Sequence, residues 1–283
     1  MATNEQRREA AKRKLEAQQA HRAQRQQQRK RNTTIAAVVT VLVVVLAAVG
    51  VYALTSAWGG SDDAGQSAAA PAPAGDGPDT AGRPTVPLPT RPTALPASVD
   101  CTYPKSPEPA SKPVNPPAAG STPAQGTVTA DLQTSAGPID LTLDRGLAPC
   151  TVKSFESLAQ QGYFDGTSCH RLTTSPGLQV LQCGDPSGSG RGGPGYSFAD
   201  EVFPGLTYGR GLLAMANAGP DTNGSQFFMI YGDAQLPPSY TVFGSIGSEG
   251  LATLDKVAKG GESVGSGDGV PSIPVEIQRT TLG

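Results

Sequence analysis

Residues 215–228 read MANAGPDTNGSQFF, and the setting of this stretch decides how the chain is read. It leads from one short apolar run, residues 212–216, into another, residues 227–230, both of strand length. Working outward, residues 127–132 (TVTADL) and 139–143 (IDLTL) alternate about the turn Ser135-Ala136-Gly137-Pro138, as a half-buried hairpin should. Further short strands are expected at residues 168–172, 180–183, 241–246 and 272–278. One helix is expected to start near Pro149, to present Val152, Phe155, Leu158 and Ala159 on one face, and to stop at Gly162. A second takes Ser248 as N-cap and Leu251, Leu254, Val257 and Ala258 as its face, with Gly260-Gly261 as terminator. Many strands with two separated helices predict a mainly β domain over residues 126–283, a closed antiparallel barrel capped by helices.

The 283 residues exceed what one such domain needs, and 35 Gly with 26 Pro are too many for a single packed unit. Charge is divided unevenly. Residues 1–32 hold 10 of the 22 Lys+Arg and 3 of the 24 Asp+Glu, so this segment is +7 and the remainder −9. An acidic body argues against nucleic acid as a partner, because duplex affinity comes mainly from cations on phosphates. Residues 33–56 carry no charge and contain 20 mostly aliphatic positions from Ile35 to Leu54, about one bilayer thickness of helix. This predicts a single transmembrane helix, with the basic residues 1–32 cytoplasmic and everything after Trp58 outside the cell membrane. Residues 57–125 read as a Pro/Ala-rich linker, since residues 61–125 hold 15 of the 26 prolines without any apolar period. A disordered, extended stalk is expected there.

Four cysteines without a C-x-x-C and two histidines 149 positions apart supply no familiar metal-ligand spacing, so no metal is expected. The densest polar constellation is His170-Arg171, Gln182, Asn217 and Gln226, each in or beside an expected strand. Alternation turns Leu172 inward and leaves the Arg171 guanidinium on the outer wall beside Gln182 of the neighbouring strand. Taken alone, the pair would be a surface charge next to a packed histidine.

The stretch 215–228 changes that weighting, because it resembles the signature of the cyclophilins, the peptidyl-prolyl cis-trans isomerases, with Asp221 where Asn is usual. Other blocks agree in order: Ala148-Pro149, Thr151-Val152 and Phe155, then Tyr163-Phe164-Asp165-Gly166, His170-Arg171, Gln182, Gly184-Asp185 and Val242-Phe243-Gly244. The resemblance covers roughly residues 126–283 and is similar to a membrane-anchored, extracytoplasmic bacterial subtype. It implies an eight-stranded barrel, no cofactor, and proline-containing segments of client proteins as substrates. It assigns Arg171 as the catalytic donor to the prolyl nitrogen and Gln182 as holder of the substrate carbonyl. Asn217 would pair with substrate backbone, Phe228 would floor the proline pocket, and Leu236 and Tyr240 would wall it. His170, Ala216 and Gln226 complete the substrate-binding set.

Between Arg171 and Gln182 about three residues exceed the family pattern, and Leu178 is the expected substitute for the missing pocket phenylalanine. Tyr240 replaces a common histidine, and the single tryptophan, Trp58, is far from Gln235. Cyclosporin is therefore expected to bind only weakly. The family pairs the strands that carry Cys169 and Cys183, which suggests that bond and leaves Cys101 to join Cys150. The competing reading is a catalytically weak proline-peptide binding or interaction module. Two further motifs fail on context. Gly261-Glu262-Ser263-Val264-Gly265 lies in a glycine-rich loop, not on a strand-to-helix elbow. Residues 188–193 (GSGRGG) lack the helix that would receive a phosphate and read as a mobile loop near the site.

Overall fold

Alternation in residues 127–134 buries Val128, Ala130, Leu132 and Thr134 and leaves the residues between them exposed, and the next strand repeats this with Ile139, Leu141 and Leu143. The computed structural model describes residues 77–283. Its strands, in chain order, are β1 (Ser98–Cys101), β2 (Gly120–Pro123), β3 (Thr127–Thr134), β4 (Gly137–Asp144), β5 (Thr167–Ser168), β6 (Arg171–Thr173), β7 (Leu178–Cys183), β8 (Leu212–Met215), β9 (Phe227–Ala234), β10 (Val242–Ile246), β11 (Asp268–Gly269) and β12 (Glu276–Leu282). The helices are α1 (Pro149–Gln160) and α2 (Ser248–Lys259).

β1 and β2 form a separate hairpin, and the other ten strands make one antiparallel sheet in the order β11-β6-β7-β9-β8-β10-β4-β3-β12-β5. The expectation of eight strands is thus corrected to ten, and no strand pair among the described residues joins β5 to β11 to close the ladder. The sheet nevertheless curls. β5 lies at one edge and β6 next to the other, yet only Cys169 and His170 separate them, so their ends lie within about 11 Å of extended chain. Inside the curl Phe155 of α1 meets Phe164, Phe227 and Phe243 at centroid distances of 4.9, 5.5 and 5.8 Å.

Both helices are capped from a distance. Pro149 opens α1, whose first free N–H groups are taken by the Glu201 carboxylate: Cys150 N at 3.0 Å, Thr151 N at 2.8 Å and the Thr151 hydroxyl at 2.7 Å. Its chain leaves through Gly162 at φ +63°, a left-handed conformation that favours glycine. The N-cap of α2 is Gly247, not Ser248 as expected. Asp140 on β4 does the capping, its carboxylate accepting from Gly250 N at 2.6 Å and its carbonyl from Gly247 N at 2.9 Å, so no side-chain cap from Ser248 is needed.

The stalk expectation is corrected for residues 77–125, which lie on the domain. Gly77 N donates to Lys259 O, Thr80 to Asp255, and Val86 N to Arg210 O. Arg91 donates to Leu147 O and Glu201 O and covers the Phe203 ring, 4.9 Å from its centroid. Lys112 donates to Gly162 O and Asp165 O just past α1. The chain is held by single anchors whose partners lie about 50 to 180 positions away, so no local period announces them. The expected span 33–56, the basic segment 1–32 and linker residues 57–76 lie outside the described residues. Among the described residues no helix is long and apolar enough to cross a membrane.

Candidate functional site

β6 and β7 pair so that Arg171 stands opposite Gln182 and Leu172 opposite Leu181, and β7 and β9 pair so that Gln182 stands opposite Phe228. Strand alternation therefore sets Arg171, Gln182 and Phe228 in one row on the outer face of the sheet, while Leu172, fully buried, points the other way. Phe227 likewise turns into the core, against Phe155 and Phe164.

The row is wired by side-chain hydrogen bonds. Arg171 Nη1 donates to Gln182 Oε1 at 3.2 Å, Gln182 Nε2 to Gln226 Oε1 at 2.8 Å, and Gln226 Nε2 to Gly192 O at 2.9 Å. On its other side Arg171 donates from Nε and Nη2 to the two carboxylate oxygens of Asp268, at 2.8 and 2.7 Å. Asp268 beside it raises the Arg171 pKa above the ordinary guanidinium value, and the same bond holds the Asp268 carboxyl below the ordinary aspartate value. A guanidinium has five N–H donors. Among the described residues three are committed, which leaves two for a substrate.

Phe228 is buried, 5% exposed, and meets Tyr240 edge to face at 5.8 Å. Tyr240 is fixed in turn by Tyr208, whose hydroxyl donates to Tyr240 O at 2.8 Å and accepts from Tyr240 N at 2.9 Å. Leu236, partly buried against the core, stands on the same loop that returns Tyr240 to Phe228. Ala216 N donates to Gln226 O at 3.0 Å, and the Asn217 side chain donates to Ser239 O at 2.9 Å, tying the two rims together. Asp221 takes a left-handed φ of 59°, which aspartate tolerates, and exchanges hydrogen bonds with Asp200: Asp221 N donates to Asp200 Oδ2 and Asp200 N to Asp221 Oδ1.

Leu178 opens β7. It faces Ala234 at the far end of β7, four positions or about 13 Å from Gln182, and a bulge separates it from Val180. Val180, two positions from Gln182 on the same face, is the apolar neighbour of the row. The expected mobile loop after Gly184 is pinned: fully buried Asp185 accepts from Ser187 N at 2.8 Å, the Ser187 hydroxyl at 2.7 Å and Gly192 N at 3.0 Å. Burial pushes that carboxyl up, but the Ser187 and Gly192 bonds and nearby His170 outweigh it and hold it below the ordinary aspartate value. The loop carries Gly190 to the imidazole of His170, neither ring nitrogen of which meets a hydrogen-bond partner among the described residues. Burial lowers the His170 pKa, opposed by Asp185 and aided by Arg171.

Both disulfides are formed, Cys169–Cys183 and Cys101–Cys150. The first brackets the row, since Cys169 is two positions before Arg171 and Cys183 directly follows Gln182. The residues that sequence reasoning missed are Asp268, Tyr208 and Asp200. Only Asp268 touches the guanidinium, from a glycine-rich loop 97 positions away with no pattern of its own.

The chain matches the family described as cyclophilin type peptidyl-prolyl cis-trans isomerase/CLD over residues 129–282. The probable peptidyl-prolyl cis-trans isomerase B of Mycobacterium leprae is 54% identical over 197 residues, 65% of this chain and 67% of the relative. That of Mycobacterium tuberculosis is 51% identical over 209 residues, 69% of this chain and 68% of the relative. A solved structure of a cyclophilin type isomerase from Cryptosporidium parvum is 32% identical, covers 56% of this chain and 98% of its own, and superposes with a TM-score of 0.48.

Proposed function

The chain belongs to the cyclophilin family of peptidyl-prolyl cis-trans isomerases, matched over more than half of its length, and from that premise we propose that it isomerises X-Pro bonds of client proteins folding outside the cytoplasm, on the face built around Arg171. The barrier to be lowered is amide resonance. As the bond twists, the prolyl nitrogen becomes pyramidal and gains a basic lone pair. Arg171 donates one of its two free N–H groups to that lone pair. Gln182, itself oriented by Gln226, holds the carbonyl flanking the proline, while the prolyl ring rests on Phe228 between Tyr240 and Leu236. Asn217 pairs through its main chain with the substrate backbone. One charge-assisted hydrogen bond of about 1.5–3 kcal/mol accounts for roughly one to two powers of ten in rate. Fixing the flanking carbonyl against a dry ring pocket supplies the rest.

The observation that carries the reading is a guanidinium fixed in the same row as Gln182 and Phe228 with two donors uncommitted. Protease-coupled isomerisation of an Ala-Pro peptide by the full-length protein tests it. Arg171→Ala is expected to lower kcat/KM about 10- to 100-fold with an unchanged circular dichroism spectrum. An unimpaired variant would remove Arg171 from the chemistry.

The uncharged stretch 33–56 supports a membrane anchor with an extracytoplasmic catalytic domain, and the four cysteines suit an oxidising compartment. Protease added outside intact cells should then digest residues 77–283. Complete protection until the membrane is breached would refute that topology. Cyclosporin is read as a weak ligand, because the single tryptophan, Trp58, is remote from Gln235 in the sequence.

A further inference from the structure

We propose that Asp268 is a positioning residue for the isomerisation, gripping Arg171 side-on so that the remaining N–H edge of the guanidinium faces the prolyl nitrogen. This rests on the reading of Arg171 as the donor to that nitrogen.

Three bonds from two strands fix the guanidinium plane. Asp268 on β11 takes Nε and Nη2 in the parallel fork that matches a carboxylate, and Gln182 on β7 takes Nη1. The segment that presents Asp268 is itself built. Buried Glu262 accepts from Val264 N at 2.6 Å and Gly267 N at 2.7 Å, and Thr174 N donates to Gly267 O at 2.9 Å. Asp268 then pairs with Thr173 and Gly269 with Leu172, which lays β11 along the strand that carries Arg171. Gly269 permits this approach, since a Cβ there would lie 2.5 Å from Glu262 Oε2. The stretch 261–265, whose sequence only imitates a hydrolase elbow, thus belongs to the mount for Asp268.

Exposure separates orientation from stability. The side chains of Arg171 and Asp268 are 37% and 52% exposed, so the pair holds little of the fold together. A guanidinium released from the fork would remain charged and soluble but would sample many directions, and a misplaced donor loses rate rather than binding.

The test compares full-length wild type with Arg171→Ala, Asp268→Ala, Asp268→Asn and Asp268→Glu. It reads kcat and KM on an Ala-Pro peptide, the melting temperature, and the Arg171 Nε–H resonance in a nitrogen–proton correlation spectrum. Asp268→Ala is expected to lower kcat about tenfold with KM within about twofold, and to lose the protected Nε–H signal without moving the melting temperature. Asp268→Asn, which keeps the shape and one acceptor, should fall between, and Asp268→Glu should restore part of both kcat and the Nε–H signal. If Arg171→Ala is slowed about 10- to 100-fold while both Asp268→Ala and Asp268→Asn keep wild-type kcat, the positioning role is overturned and the reading of Arg171 stands. If Arg171→Ala is as active as wild type, that reading falls and the positioning role with it.

Discussion

Arg210 meets Asp255 at 2.7 Å on both arms, and Arg171 meets Asp268 at 2.8 and 2.7 Å, yet the first pair is 7% and 12% exposed and the second 37% and 52%. Arg210 also donates to Arg83 O and Tyr231 O, and Asp255 accepts from Thr80, so the buried fork ties residues 77–125 to α2 and β9. Four of its five donors have partners. Arg171 keeps two free. An arginine–carboxylate fork, end-on through Nη1 and Nη2 at Arg210 and side-on through Nε and Nη2 at Arg171, therefore does different work according to what surrounds it. Buried and saturated, it fastens segments of chain together, and removing one partner strands a charge. Half-exposed and unsaturated, it leaves N–H donors open to a bound molecule.

The contrast can be broken most sharply at Asp255. Asp255→Ala leaves Arg210 without its counter-charge and should lower unfolding free energy by about 3–5 kcal/mol in urea titrations. Isomerase activity per folded molecule should be unchanged. A loss below about 1 kcal/mol, the range of exposed pairs, would put the two forks in one class. The corresponding Asp268 variants are expected to leave stability alone, so the two substitutions should dissociate stability from rate in opposite directions.

His170 offers a smaller effect beside the exposed fork. Burial lowers its folded-state pKa, so between that value and the ordinary histidine value near 6.5 the unfolded chain binds more protons than the folded one. The stability that the neutral imidazole contributes is fully present above about pH 6.5 and is lost as pH falls below it. Compared with His170→Asn, wild type should lose up to about 1.4 kcal/mol between pH 7.5 and 5.5, the most that one proton can yield over the one pH unit below 6.5. Parallel pH dependence in the two proteins would show that the ring is charged as readily in the fold as outside it.

What could be read in advance was whatever repeats at short range. The alternation of residues 127–143 is enough for its hairpin, and alternation alone puts Arg171 on the outer wall beside Gln182. The run 215–228 was legible because so many side chains are required at once there. Ser248 carries a capping hydroxyl beside the helix, whereas the cap that is made reaches it from Asp140 on β4. Residues 77–125 looked free because prolines carry no apolar period and no N–H, while Thr80, Arg91 and Cys101 act one at a time on distant partners. Asp268 was hidden for the same reason. A single carboxylate among glycines acquires meaning only when β11 folds beside β6.

The Cys169–Cys183 bond closes a loop of fifteen residues around Arg171 and Gln182. In a denatured but oxidised chain that loop survives, and closing one of this size takes about 3 kcal/mol of chain entropy out of the unfolded ensemble. Arg171 and Gln182 are then never more than half a small ring apart, whatever the rest of the polypeptide does. A chain unfolded by heat without reduction keeps, in covalent form, a record of which two side chains face each other. Refolding of the site begins from that record rather than from a random coil.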